Sequence, residues 1–199
     1  MITLLYSQAS PYARMVRVMV EVLELTAIQT EMVNPFDNSQ RLLEANPLGK
    51  IPCLLLSDGS SLFDSEVIAR YLDSLSPHAS LFPEPGHDWQ RQCQFSLVKG
   101  LLDAAVALRQ EQMRAAEGLS SDFWRGRYEQ SLLRGLREIE SSGIIASNSL
   151  NAERIALVCL LDYLDFRHSN LAWYKVVPAV AKWHQGLMDS AVFLSSRPS

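Results

Sequence analysis

The sequence predicts a small α/β domain followed by an all-α domain, and three observations carry that prediction. Short apolar runs alternate with helical spacings through the first 76 residues, in the order βαβα and then ββα. A proline-rich stretch from Ser76-Pro77-His78 to Pro83-Glu84-Pro85-Gly86 has no apolar period. Every periodic segment beyond it has helical spacing. The expected boundaries are 1–76 for the first domain, 77–87 for a linker and 88–199 for the helical domain.

Residues 2–6 read as a buried strand ended by Ser7-Gln8-Ala9-Ser10-Pro11. Ser10 suits an N-cap and Pro11 the first helical position, where a missing N–H costs nothing. Val16, Met19, Val20 and Leu23 continue that helix. Ile28, Thr30 and Met32 alternate with polar neighbours, which predicts a half-buried strand over 27–33. A short helical piece ends near Ala45. The runs 53–56 and 61–63 flank Asp58-Gly59, a hairpin signal that makes these strands antiparallel. A third helix starts at Asp64-Ser65-Glu66, with Val67, Ile68, Tyr71, Leu72 and Leu75 as its apolar face. The second domain shows four apolar stripes, beginning with Leu97 to Leu108 and Tyr128 to Ile139. Ile155 to Leu164 forms the most apolar of them, and Val180 to Met188 ends the chain.

Composition bounds the function. With 48% hydrophobic and 20% charged residues the chain reads as an ordinary globular protein, and a net charge of −4 argues against a nucleic-acid surface. No apolar run approaches the roughly 20 residues that span a bilayer, and the amino terminus lacks a signal-peptide pattern. A cytoplasmic protein with no membrane partner is therefore expected. Cys53, Cys93 and Cys159 lie far apart in apolar surroundings and read as small core residues. His78, His87, His168 and His184 have no metal-ligand spacing, so no metal is expected.

The stretch around which the chain is organised is Asn46-Pro47-Leu48-Gly49-Lys50-Ile51-Pro52. An Ile-Pro pair directly before a strand suggests backbone turned outward, through a cis peptide bond, with the Ile51 N–H and C=O open to an extended ligand. The same residues also suit a loop that only turns the chain into a buried strand.

Taken together, Ser-Pro-Tyr at the first helix, Asn-Pro-Leu-Gly-Lys-Ile-Pro before the third strand, Asp-Ser-Glu at the third helix and Leu161-Asp162-Tyr163-Leu164-Asp165-Phe166-Arg167 in the helical half closely resemble cytosolic glutathione transferases of bacteria. The resemblance spans the chain. It implies a thioredoxin-like amino-terminal domain holding glutathione as co-substrate, and a helical domain supplying most of the pocket for a hydrophobic electrophile. It also implies a homodimer.

Within that resemblance Ser10 is the candidate catalytic hydroxyl, with Ser7 and then Tyr6 as rivals. A free thiol has a pKa of about 8.5, and lowering it by roughly two units takes about 2.7 kcal/mol of anion stabilisation. A hydrogen bond to a charged group supplies about 1.5–3 kcal/mol and a helix N-terminus up to about 2 kcal/mol. Ile51 would pair its backbone with the cysteinyl unit and Pro52 would hold that geometry. Asp64 would take the ligand's ammonium, Ser65 its γ-glutamyl carboxylate and Lys50 its glycyl carboxylate. Each residue also has a plain role: Ser10 and Asp64-Ser65 as helix caps, and Lys50 as a solvated charge. Arg14 and Arg17, on the polar face of the first helix, read as surface or interdomain salt-bridge residues. Leu108, Met113 and Phe123 stay outside the site, since a helical stripe is more often core.

One departure concerns the core helix of the second domain. Asn151 and Arg154 stand where relatives carry a reciprocal capping pair, and Arg154 cannot accept a backbone hydrogen bond. The expected cost is about 1 kcal/mol. Two other functions fit the same architecture: a non-catalytic binding protein with a transcription or translation partner, and a glutathione-dependent thiol-disulfide reductase. The reductase needs a protein thiol, and position 10 is serine.

Overall fold

A parallel pair of strands needs a crossover connection, and the first helix provides it. In the computed structural model, which describes residues 1–77, 80–84 and 86–198, β1 (Ile2–Tyr6) pairs in parallel with β2 (Ile28–Met32) from Ile2↔Ile28 to Tyr6↔Met32. β3 (Cys53–Leu55) lies antiparallel on the other side of β1, with Leu5 opposite Cys53. β4 (Ser61–Leu62) is antiparallel to β3, with Leu54 opposite Leu62. The sheet order is β2-β1-β3-β4. This mixed four-stranded sheet with its helices is thioredoxin-like.

α1 (Pro11–Val22) buries Ala13, Met15, Val16, Val18 and Met19. α2 (Gln40–Ala45) is capped by Ser39, whose hydroxyl accepts from the Leu42 N–H at 3.4 Å. In the β3–β4 turn, the Asp58 carboxylate accepts from the Ser60 N–H at 2.9 Å and its hydroxyl at 2.7 Å, while Gly59 takes φ +90°. α3 (Ser65–Leu75) packs against α1 and buries Ile68, Ala69 and Leu72.

Two expectations for this half need correction. Thr30 and Met32 are exposed, because β2 is an edge strand; Glu31 instead turns partly inward and pairs with Arg41 at 2.9 Å. Val67 and Leu75 on α3 are also exposed, since the buried stripe of this helix is narrower than its apolar sequence.

The helical half contains α4 (Trp89–Arg114), α5 (Asp122–Ser141), α6 (Ala152–Arg167) and α7 (Pro178–Gln185). α6 is apolar around most of its circumference and, Arg154 apart, buried from Ala152 to Leu164, as a central core helix should be. α4 packs against both α5 and α6. Gly135 on α5 allows the first of these contacts, because a Cβ there would collide with the Leu101 side chain.

Asn151 caps α6 by accepting from the Arg154 N–H at 3.1 Å. Bonds of a different kind hold the start of this helix. Arg154 donates to the Ile144 carbonyl at 2.7 Å and the Ser149 carbonyl at 3.0 Å, bracing the loop before the helix. Arg91 grips the buried Glu153 carboxylate with two bonds, at 2.6 and 3.1 Å. Cys53 and Cys159 are buried, but Cys93 is exposed, contrary to the sequence reading: it faces outward from α4.

The chain divides into two compact units, Met1–Phe82 with Ser190–Ser199, and Pro83–Asp189. The sequence reading gave all of 88–199 to the helical domain. Instead the last stripe breaks after Gln185, and α8 (Ala191–Leu194) packs against α1 in the first unit. Of the expected 77–87 linker, His78, Ala79 and Pro85 lie outside the described residues. Among the described residues no helix is long and apolar enough to cross a membrane.

Candidate functional site

The sheet register gathers the candidate residues at one end of the first unit. β1 ends where β3 begins, since Leu5 faces Cys53, and β4 ends beside the start of β3, since Leu62 faces Leu54. The segments leaving or entering there are 7–10, 51–52 and 63–65. With neighbouring strands about 4.8 Å apart, all three emerge within roughly 10 Å across the sheet.

Ser10 is the N-cap of α1, with extended backbone (φ −83°, ψ 118°). Its Oγ accepts from the Ala13 N–H at 3.2 Å. A hydroxyl that accepts still has a proton to give, and the Ser10 proton has no acceptor among the described residues. Capping and donation are therefore compatible roles. Ser7, the first rival, contributes a carbonyl that accepts from the Ser10 N–H at 3.3 Å, closing the loop before the helix. Tyr6, the second, has its ring covered by the Arg17 guanidinium, 4.6 Å from its centroid.

The central loop is held by a residue that sequence reading left without a role. Asn46 is buried, and its side-chain oxygen accepts from the Leu48 N–H at 3.0 Å while its amide NH₂ donates to the Lys50 carbonyl at 2.9 Å. Its own carbonyl accepts from the Gly49 N–H at 2.8 Å. Gly49 adopts φ +61°, which favours glycine, and Leu43 lies 3.4 Å from where its Cβ would be. The Ser61 hydroxyl donates to the Ala45 carbonyl at 2.6 Å, tying the end of α2 to β4.

The loop so fixed delivers Ile51 and Pro52 through a cis peptide bond. β3 itself is an inner strand, but Ile51 precedes its first ladder pair by two residues. The Ile51 side chain is half-buried against the cluster of Leu5, Leu42, Ala45 and Cys53. Lys50 is exposed.

A second cis peptide, Phe63–Asp64, leads into α3, and nothing in the sequence signalled it. Asp64 caps that helix, its carboxylate accepting from the Glu66 N–H at 3.0 Å, and Ser65 is buried at its first position. Asp64 is exposed, so its carboxylate stands at the positive end of α3.

The Cys53 thiol is pushed up to about 11 by burial, so it stays protonated and unreactive near neutral pH.

Within the helical unit, Asp162, Asp165 and His184 offer ligand atoms within 4.8 Å of one another. The four histidines alone give no hint of this group, because its other members are aspartates spaced i, i+3 on α6. Their atoms already serve a core network. His184 Nε2 meets Asp162 at 2.7 Å, and the Trp173 indole N–H donates to Asp165 at 2.7 Å. Burial raises the pKa of Asp165, opposed by that indole bond.

The sequence model of the glutathione S-transferase N-terminal domain matches residues 9–75. The GST-like protein YibF of Escherichia coli (strain K12) is 28% identical over 198 residues, covering 96% of each chain. A stringent starvation protein A homolog of Pasteurella multocida is 37% identical over 81 residues, covering 41% of this chain and 37% of that protein. Among solved structures, a glutathione transferase family member from Pseudomonas fluorescens Pf-5, crystallised with bound glutathione, superposes with a TM-score of 0.93 at 32% identity over 100% of both chains.

Proposed function

The chain belongs to the glutathione transferase family, and from that premise we propose that it conjugates the glutathione thiolate to a hydrophobic electrophile, with Ser10 as the catalytic residue. The observation that carries this reading is the Ser10 hydroxyl, which accepts from the Ala13 N–H and retains its proton at the positive end of α1. That proton is donated to the glutathione sulfur. The hydrogen bond and the helix end together favour the anion by about the 2.7 kcal/mol that a two-unit fall in pKa demands. With the thiol proton given up to water, the thiolate attacks the electrophilic carbon and the carbon–sulfur bond forms. Either the bond to the leaving group breaks and that group departs with its electron pair, or a conjugated double bond breaks and its pair moves onto the activating group, which is then protonated.

The other candidates divide the peptide among themselves. Ile51 pairs its backbone N–H and C=O with the cysteinyl unit, and Pro52 and Asn46 keep that backbone in place. Asp64 accepts from the ammonium, while Ser65 and the first N–H groups of α3 receive the γ-glutamyl carboxylate. Lys50 meets the glycyl carboxylate. No role in the reaction is assigned to a metal. A homodimer in the cytoplasm completes the reading, and the exposed Cys93 thiol suits a reducing compartment.

A non-catalytic binding protein is the second reading, favoured by the match of 81 residues to the stringent starvation protein A homolog. Thiol-disulfide reduction is disfavoured by serine at position 10 and by the raised pKa of Cys53.

Ser10→Ala tests the proposal. Glutathione binding should persist within a few-fold. Conjugation of a halogenated aromatic should fall by about 10- to 100-fold below the pH where free thiol ionises, a change of about 1.4–2.7 kcal/mol. An unchanged pH–rate profile would remove Ser10 from the mechanism, and wild-type protein that binds glutathione without turning over any electrophile would favour the binding role.

A further inference from the structure

In the helical unit Arg91, Arg114 and Arg125 each pair with a carboxylate. Arg109 on α4 and Arg167 at the end of α6 are half-buried and pair with none among the described residues. The acids nearest to them along these helices are already engaged. Glu111 meets Arg114 at 2.7 Å and accepts from the Ser121 N–H at 2.9 Å, Asp165 accepts from the Trp173 indole N–H, and Asp162 meets His184.

Helical spacing turns both arginines towards one place, since residues three and four apart share a helix face. Ala105, Arg109 and Gln112 are so spaced on α4. Ala105 and Gln112 both bind the buried His168 ring, the first through its Nε2 at 2.9 Å and the second through its Nδ1 at 3.3 Å. Tyr163 and Arg167 are so spaced on α6, and the Tyr163 ring meets the same imidazole edge to face, with centroids 5.9 Å apart. The Arg167 guanidinium lies over the Phe166 ring, 3.8 Å from its centroid.

Between the two arginines stands the Tyr163 hydroxyl. Tyr163 is only 5% exposed, and its O–H has no hydrogen-bond partner among the described residues. A buried donor left unpaired is costly. Burial raises the pKa of this hydroxyl, while the Arg167 and Arg109 charges pull it down, so the phenol oxygen stands in the field of both guanidiniums. The same two charges add to the effect of burial in lowering the pKa of His168.

We infer that Arg109, Tyr163 and Arg167 form an anion site within the helical unit that takes the carboxylate of a small aromatic acid. Guanidinium N–H groups form the planar fork that matches a carboxylate, and the phenol supplies one more donor. The Phe166 and Tyr163 rings offer an apolar wall to the rest of the molecule. An inorganic anion would use the donors but not the rings. All of these groups belong to the helical unit, so the site is independent of the glutathione reading.

Isothermal titration calorimetry of the full chain with benzoate, at fixed ionic strength and near neutral pH, tests the site, with inorganic phosphate as a second titrant. Benzoate should bind saturably, about tenfold more tightly than phosphate. Arg109→Gln and Arg167→Gln should each weaken it about tenfold and Tyr163→Phe about threefold, whereas Arg109→Lys should keep part of the affinity. Arg134→Gln on α5 should change nothing. Proton NMR of the imidazoles adds a readout that packing alone would not move, with His168→Gln identifying the signal. Bound benzoate should raise the His168 pKa in wild type, because it offsets two positive charges, and should leave it unmoved in Arg109→Gln. No saturable binding at millimolar benzoate overturns the inference, as does binding that is indifferent to Arg109→Gln and Tyr163→Phe. Phosphate bound as tightly as benzoate overturns the assignment to an aromatic acid. Circular dichroism checks folding, and should Tyr163→Phe fail to fold, the two glutamine variants at half-buried positions decide the matter.

Discussion

Asn46 works through both ends of its amide, and the whole of the 46–50 loop follows from it. Asn46→Ala removes the buried amide that serves the Leu48 N–H and the Lys50 carbonyl, two part-buried bonds. The expected loss is about 1–3 kcal/mol of stability, read by urea denaturation, with weaker glutathione binding beside it. A variant as stable as wild type would mean that water or a neighbour replaces the amide. Residues of this kind were poorly legible. Ser10, Ile51, Pro52, Asp64 and Ser65 announce themselves because caps and X-Pro pairs have local signatures, and the structure puts their segments at one sheet end. Asn46 lies inside the same motif, but its two bonds exist only once the loop is closed. Arg14 reads from sequence as a surface or interdomain salt-bridge residue, because its bonds to Phe193 and Ser196 reach about 180 residues downstream.

At the scale of elements, the helical periods were readable from sequence while their endings were not. α6 stands out because it is apolar around most of its circumference, yet the break of the last stripe after Gln185 depends on α8 finding α1. The α4–α5 contact depends on one missing methyl group. Gly135→Ala should cost about 1–3 kcal/mol of stability, read from the shift of the denaturation midpoint, since Leu101 must move or leave its rotamer. A second test concerns α4 and the end of α6. The buried His168 ring donates from Nε2 to the Ala105 carbonyl at 2.9 Å and accepts at Nδ1 from Gln112 at 3.3 Å, so its neutral form is satisfied. Burial lowers its pKa, with the nearby Arg109 and Arg167 charges acting in the same direction and the Ala105 bond opposing. The unfolded chain then takes the proton more readily than the folded one. The stabilisation is complete above about pH 6.5 and is lost as the pH falls through the depressed folded value. Unfolding free energy should therefore drop between pH 7.5 and 5.5, with a slope of at most about 1.4 kcal/mol per unit. His168→Gln should flatten that slope, and an equal slope in the variant would assign it to other groups.

At the scale of the whole molecule, ligand binding and folding are coupled by mass action. On the glutathione reading, a concentration one hundred times the Kd adds about 2.7 kcal/mol, which for a chain of this length raises Tm by roughly 5–10 °C. Ser10→Ala should keep most of that shift, because the hydroxyl acts on the thiolate more than on the peptide as a whole. No shift at millimolar glutathione would count against a working site. The division of the chain into two units was visible in its periodicities, but the return of residues 190–198 to the first unit was not, since no local pattern marks a segment for a partner so far upstream. That return has a consequence for how the protein is made. During translation the sheet and its first three helices leave the ribosome long before the strip that seats Arg14 has been synthesised. The nascent amino-terminal half must wait, with a guanidinium lacking two of its final acceptors, until the helical half has been threaded out behind it.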